Sequence, residues 1–296
     1  MNKYADEYLL YLTHNKGASV NTVDSYKRDI NKFIDYLAEI NTEDTACVTQ
    51  TDVLNYLLYL KKQGKSASTV SRVLSSLKSF YKYLFSNKHI DTDPTVDIHG
   101  FKSEKRPPQA LSDTQIDMLL NTPVCHNIKG YRDKAILELM YATGMRATDI
   151  INLRLSDVNL NVGFIFYHSK NKERVIPIYS LAKECVKNYI EKRKQIKNSE
   201  NTDVLFLNLN GNPLTRQGLY KIIKSYQKIS GMMVDITPNT IRDSFAIHLL
   251  ENGADLKSVQ EMMGHSDIAS TQVYEQVIKN KLTEVYQKAH PRSKLK

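Results

Sequence analysis

The sequence predicts a mainly α-helical protein with a small antiparallel β-sheet, an α+β fold divided into two domains. Three observations support this prediction. Apolar residues recur at helical spacing through the first hundred residues, a charged stretch with prolines follows, and the remainder mixes helical segments with two short β-rich runs. At 296 residues the chain is long enough for each domain to bury its own core.

The first domain is predicted to be a bundle of helices with brief connections. Val23, Tyr26, Ile30, Phe33 and Leu37 lie on one face of a helix, and the same spacing recurs farther along the domain. Its helices are expected at about 4–13, 23–37, 51–62 and 70–84, with Ser66 or Ser68 as the N-cap of the last.

The stretch from Asp91 to Pro108 separates the domains, because its prolines end helices and its charged residues suit a linker. We therefore expect a helical domain over 1–100, a linker over 101–109 and a second domain over 110–296. The positive charge of the linker would suit a segment that crosses a DNA backbone, and it would equally suit a solvated hinge.

Two β-rich runs in the second domain predict a hairpin. They span 164–167 and 174–178, and the polar residues between them, including Lys170, form a basic tip. A short strand is also expected at 204–207. Helices are predicted at 135–143, from about Met145, at 181–197, at 215–229, from Thr237-Pro238 to Gly253, and at 255–263. His248, in the helix before Gly253, is expected to be a buried packing residue rather than a ligand.

Charge and cysteine content limit the classes of function. The net charge of +9 resides entirely in residues 101–296, which indicates either a polyanion-binding face or only a lysine-rich surface. Cys47, Cys125 and Cys185 have no metal-ligand spacing and are expected to be reduced thiols, so no metal site is predicted. No apolar run is long enough for a membrane span and the start lacks a signal peptide, so we expect a cytoplasmic protein without membrane contact.

Short motifs in the second domain indicate phosphate chemistry. Gly264-His265-Ser266-Asp267 precedes Tyr274, while Arg146 and Arg242 lie upstream. Cleavage of a phosphodiester without a metal needs a nucleophile, cations for the non-bridging oxygens and a proton for the leaving group. The fixed fork of arginine suits the second task, and a tyrosine nucleophile would conserve the bond energy as a phosphotyrosine.

These motifs and their order resemble the tyrosine recombinases of the λ-integrase class, and among them the Xer site-specific recombinases. The resemblance covers nearly the whole chain, since the first domain resembles the helical, SAM-like core-binding domain of that family and the second its catalytic domain. The segments that carry it are 142–149, 169–174, 237–242, 249–256, 263–274 and 289–292.

The resemblance implies a role for five residues. Arg146 and Arg242 would clamp the scissile phosphate, and His265 would donate a hydrogen bond to it. Lys170 would protonate the leaving 5′-oxygen, and Tyr274 would be the nucleophile.

Two further positions are implied to belong to the site. Asp149 matches an acidic residue that helps to hold the site, and it could orient Arg146 because residues three apart share a helix face. Asn239 stands where the family usually has histidine or lysine. Asparagine can donate a hydrogen bond but cannot carry charge or transfer a proton. His168, near the hairpin tip, is a candidate to compensate.

The implied function is site-specific recombination of double-stranded DNA with inverted half-sites, through a 3′-phosphotyrosine intermediate and without metal, ATP or any cofactor. The implied assembly is a homo- or hetero-tetramer in which a segment at about 280–296 docks on a neighbour. Xer-type resolution of chromosome dimers, with a cell-division DNA translocase as partner, is the favoured process. The alternatives are an integrase of a mobile element and an accessory DNA-binding protein whose cleavage is weakened by Asn239.

Overall fold

A computed structural model describes residues 3–42, 44–100, 108–169 and 172–264. It confirms the prediction of a mainly helical fold with one small antiparallel sheet. The chain divides into two compact units, Met1–Lys105 and Arg106–Lys296. Most of the predicted linker, residues 101–107, lies outside the described residues.

The first unit is built around four α-helices. Ser66 is the N-cap of the fourth, since its side chain accepts the backbone N–H of Thr69. The core is rich in aromatic residues, and Tyr8, Phe33 and Phe80 are fully buried in it. The four helices are α1 (Lys3–His14), α2 (Val20–Glu39), α3 (Gln50–Lys62) and α4 (Ala67–Ser86).

The second unit packs its helices around a small sheet and a central helix. Its elements are α5 (Asp113–Asn121), α6 (Ile128–Thr143), α7 (Ala147–Asn152), β1 (Val158–Asn159), β2 (Phe164–Ser169), β3 (Lys172–Pro177), α8 (Ser180–Arg193), α9 (Arg216–Ile229), α10 (Pro238–Glu251) and α11 (Leu256–Met263). Helix α6 is buried on most of its circumference, as expected of a central helix packed against α8 and α10.

The sheet has the order β1-β2-β3 with antiparallel neighbours, which confirms the predicted hairpin. The strands extend closer to the tip than expected. His168 pairs with Glu173, and Ser169 pairs with Lys172, so the ladder leaves only residues 170–171 between the strands. Lys170 itself lies outside the described residues.

Three expectations for the second unit were wrong or incomplete. Helix α5 was not predicted. Helix α6 begins at Ile128 rather than near 135, and its first turns were missed because buried charged residues interrupt the apolar pattern there. The predicted strand at 204–207 is not part of the sheet, and only isolated bridges form there. The guanidinium of Arg193 donates to the carbonyls of Val204 and Leu205, which a neighbouring strand would otherwise engage.

Two side chains of α10 hold the backbone of Leu111. The Leu111 N–H donates to Ser244 Oγ at 2.8 Å, and its carbonyl lies 2.8 Å from His248 Nε2. Because a carbonyl can only accept, Nε2 donates to it, and Nδ1 lies 2.9 Å from the Tyr141 hydroxyl oxygen. This arrangement confirms that His248 is a buried packing residue.

No helix in the described ranges is long and apolar enough to cross a membrane. All three cysteines carry free thiols. In the same ranges, no group of His, Cys, Asp and Glu side chains could hold a metal ion.

Disruption of a buried charge cluster on α6 is expected to lower the stability of the protein strongly. Asp133 is fully buried and accepts from Arg132, Lys129 and the Tyr226 hydroxyl at 2.7 to 3.0 Å. Asp133→Ala would leave the buried Arg132 without its carboxylate, and we expect a loss of about 3–5 kcal/mol in the free energy of unfolding.

Denaturant unfolding of the full chain measures this loss, with Asp203→Ala as the control. Asp203 forms an exposed ion pair with Arg154, so its removal should cost no more than about 1 kcal/mol. Equal losses for the two variants would contradict the prediction.

Candidate active site

Arg146 lies at the junction between α6 and α7. Helix α6 ends at Gly144 in the left-handed region, with φ of 57°. Arg146 is then the N-cap of α7, rather than a member of the helix as predicted. Its exposed guanidinium points toward the carbonyl oxygen of Gly264, with Nη1 and Nη2 at 3.5 and 3.4 Å.

Arg242 reaches the same place from α10. Its side chain is buried and donates through Nη1 to the carbonyl of Gly144. Nη2 donates to the carbonyl of Met263 at 2.9 Å. The two arginines that the motifs singled out are therefore brought together at the C-terminal end of α11.

A third arginine, Arg174 on β3, also reaches this helix end. Nη1 donates to the carbonyl of Met263 at 3.1 Å, and Nη2 forms an ion pair with Asp149 at 3.0 Å. Its guanidinium lies over the Tyr167 ring at 5.0 Å. No role was predicted for Arg174. Residues two apart in a strand lie on the same face, so its position relative to the buried Ile176 could have placed it on the inner face.

Asp149 has a different partner from the one expected. It was predicted to orient Arg146, but among the described residues its carboxylate binds Arg174 and accepts from the Tyr167 hydroxyl at 3.1 Å. Arg146 is the N-cap of α7 and directs its guanidinium toward the carbonyl of Gly264 instead. Burial, and next the negative charge of Asp149, raise the pKa of Tyr167 to about 12, so the hydroxyl remains a donor.

The end of α11 attracts these cations for a general reason. The last carbonyls of a helix lack intrahelical donors and carry partial negative charge. Gly264 follows Met263 with φ of 65°, and a Cβ there would lie 2.3 Å from Arg174 Nη1. In the described part of the chain, no carboxylate pairs with Arg146, so its charge is available to an anion.

Asn239 lines a groove of the second unit. The groove has a volume of about 760 Å³, and Asn239 is exposed in the first turn of α10. Ala147, which follows Arg146, is part of its lining. The other lining residues are Arg216, Gln217, Tyr220, Lys221, Thr237 and Pro238.

Three of the predicted site residues, Lys170, His265 and Tyr274, lie outside the described residues, and their roles stay predictions. His265 directly follows Gly264 in the chain, and Lys170 follows the last residue of β2. His168 is exposed and its Nε2 lies 3.7 Å from Glu173 Oε1 across the hairpin.

Known proteins match the chain over its whole length. The model of the phage integrase family matches residues 109–281, and that of the phage integrase N-terminal SAM-like domain matches residues 5–88. Tyrosine recombinase XerD of Staphylococcus haemolyticus is 43% identical over 295 residues, which cover 99% of this chain and 100% of that protein. XerD of Staphylococcus aureus strain Mu50 is 41% identical over the same shares of the two chains.

The chain belongs to the phage integrase family. It is a Xer-type tyrosine recombinase, an enzyme of site-specific DNA recombination that cleaves and rejoins DNA by the tyrosine mechanism. The resemblance inferred from the motifs is thus confirmed, and the two alternative functions are not favoured. The fold agrees with that of the XerH recombinase bound to a palindromic difH substrate, with a TM-score of 0.78 at 20% identity over 96% of this chain and 84% of that one.

Gly144→Ala is predicted to disturb the arginine cluster through a steric contact. An added Cβ would lie 2.3 Å from Phe245 Cδ1, and the carbonyl of Gly144 is the acceptor of Arg242. The control is Gly231→Ala, where φ is 71° but no heavy atom lies within 4 Å of an added Cβ. Only the left-handed backbone then lowers the free energy of unfolding, by about 1–2 kcal/mol.

We expect Gly144→Ala to lose about 1–3 kcal/mol more than the control in the free energy of unfolding, because the collision with Phe245 adds an overpacking cost. Denaturant unfolding of both variants measures the difference. The same loss in the two variants would show that the contact with Phe245 is relieved without cost.

Proposed function

We propose that Arg146, Arg242, Lys170, His265 and Tyr274 form one site that cleaves a phosphodiester of duplex DNA. The observation that carries the proposal is the convergence of Arg146 and Arg242 on the carbonyl end of α11. His265 is the next residue in the chain after this end. The motifs that match the family therefore adjoin a cluster of guanidinium groups.

The two arginines differ in a way that suits two tasks. Arg242 is buried and fixed by the carbonyls of Gly144, just after α6, and of Met263 in α11, so its position is set before a substrate arrives. Arg146 is exposed and directs its guanidinium toward a single carbonyl at 3.4–3.5 Å. In this proposal Arg146 meets the non-bridging oxygens of the phosphate directly, and Arg242 supplies a preorganised positive charge beside it.

The chemistry proceeds in two reversible steps. The hydroxyl oxygen of Tyr274 attacks the phosphorus and its proton passes to solvent water, the bond from phosphorus to the 5′-oxygen breaks, and Lys170 gives that oxygen a proton. His265 donates a hydrogen bond to the phosphate. In the second step the 5′-hydroxyl of an incoming strand attacks the 3′-phosphotyrosine and gives its proton to Lys170, the bond from phosphorus to the tyrosine oxygen breaks, and that oxygen regains a proton from water. One phosphodiester is exchanged for another, so no ATP is consumed.

Asn239 is proposed to donate a hydrogen bond to a phosphate oxygen from the groove beside Arg146. Its amide can donate but cannot act as a base for Tyr274. Arg216 and Lys221, which line the same groove, add positive charge where the adjoining DNA backbone would pass.

The biological role is inferred from the relatives. XerD proteins at 41–43% identity across the full chain support resolution of chromosome dimers. A λ-integrase structure contains a dimer on a core site, and XerH is bound to a palindromic substrate. We infer that this chain binds inverted half-sites as a homo- or hetero-tetramer. In this proposal residues 1–100 bind DNA, residues 110–296 catalyse the reaction, and the segment at about 280–296 docks on a neighbour. A cell-division DNA translocase is the proposed activator.

The nucleophile is tested with a nicked half-site that traps the cleaved strand. The full chain should form a covalent protein–DNA adduct that survives denaturation, and Tyr274→Phe should form none while its Kd for the half-site changes less than about twofold. Tyr131→Phe, on α6, serves as the control and should retain the adduct. Tight binding by the wild-type chain without any adduct would support the accessory-protein alternative.

The cost of asparagine at 239 is tested on the same substrate. Loss of one hydrogen bond to a charged group is worth about 1.5–3 kcal/mol, so Asn239→Ala should slow adduct formation about 10- to 100-fold. Asn239→His should accelerate it less than about tenfold and add a pH dependence near 6.5, the ordinary pKa of histidine. A gain of about 100-fold or more would instead indicate that a proton acceptor is needed at this position.

A further inference from the structure

The side chain of Arg174 joins three of the segments that contribute to the proposed site: its own strand and two others that it contacts. It lies on β3, in the hairpin that carries Lys170. Nη2 binds Asp149 of α7, whose N-cap is Arg146. Nη1 binds the carbonyl of Met263 at the end of α11, two residues before His265.

We propose that Arg174 is a positioning residue for DNA cleavage, which holds the hairpin and the end of α11 in a fixed relation to α7. This inference rests on the proposed function, since it concerns the placement of Arg146, Lys170 and His265. Arg174 does not meet the phosphate in this proposal, because both of its terminal nitrogens bind groups of the protein.

The surroundings of Arg174 favour a fixed geometry over a loose ion pair. The side chains of Arg174 and Asp149 are 9% and 12% exposed. The Tyr167 ring supports one face of the guanidinium at 5.0 Å, and its hydroxyl donates to the second oxygen of Asp149 at 3.1 Å. Both carboxylate oxygens are therefore engaged, so the planar fork of arginine has one orientation in which both of its bonds form.

Gly264 provides the space for this contact. A Cβ at this residue would lie 2.3 Å from Nη1 and 2.5 Å from Cζ of Arg174, so any side chain would push the guanidinium away from the helix end. The φ of 65° independently favours glycine. Gly264 thus admits Arg174 to the carbonyl of Met263.

The first test replaces Arg174 with lysine in the full chain. Lysine keeps the charge but is a point donor that cannot bridge Asp149 and the Met263 carbonyl in the same geometry. The rate of adduct formation at saturating nicked half-site should fall about 10- to 100-fold, as expected for a misplacement of about 1 Å, with Kd for DNA changed less than twofold. Arg154→Lys, on an exposed ion pair, should leave both quantities unchanged.

An opposite pattern overturns the proposal. If Arg174→Lys raises Kd while the saturated rate is unchanged, Arg174 is a DNA-binding residue and not a positioning residue. Gly264→Ala provides a second variant that retains every donor of Arg174, so it tests the contact even if Arg174→Lys does not fold. The double variant should be no slower than the slower single variant, because both changes disrupt one contact. Additive losses would argue against that shared contact.

Amide hydrogen exchange separates the failure of this proposal from that of the proposed function. Without DNA, the amides of residues 256–264 should exchange at least about tenfold faster in Arg174→Lys than in Arg154→Lys, because the end of α11 has lost an anchor. Unchanged exchange overturns the positioning role even if the variant is slow. A wild-type chain that forms no adduct overturns the proposed function, whatever the exchange shows.

Discussion

The carbonyl end of α11 organises the second unit around the site. Met263 offers one oxygen to both Arg174 and Arg242, and the oxygen of Gly264 faces Arg146. Unsatisfied carbonyls at a helix end form a compact centre of partial negative charge. Like-charged guanidinium groups can gather there because each meets a carbonyl oxygen. Without this helix end, the three guanidinium groups would lack these carbonyl acceptors.

A division of labour among the cations follows from their burial. Arg242 and Arg174 are enclosed and have fixed partners, whereas Arg146 remains exposed at the N-cap of α7. In the proposed site the buried members would supply rigidity and background charge, and the exposed member would meet the phosphate. The side-chain entropy of Arg242 and Arg174 is therefore lost when the protein folds and not when it binds DNA. Asn239 is also exposed and lines the groove.

Local signals predicted much of the fold, but they could not predict contacts between distant segments. Periodicity and caps indicated α2, α4, α10 and the hairpin, because those elements carry their own patterns. The start of α6 was hidden, since charged residues such as Asp133 are buried by partners from elsewhere in the chain. Motif order predicted that Arg146 and Arg242 belong to one site, and both side chains reach the end of α11. The ion pair of Asp149 with Arg174 could not be inferred, because it depends on how β3 packs beside α7.

The two hydrogen bonds between Leu111 and α10 also have a mechanical consequence. Ser244 and His248 hold the N–H and the carbonyl of one peptide segment, shortly after the end of the predicted linker. Tension in the preceding chain would therefore act on α10 through these two hydrogen bonds, as well as on α5, which begins at Asp113. Arg242 is also on α10, so tension in the segment before Leu111 could change the position of the Arg242 guanidinium.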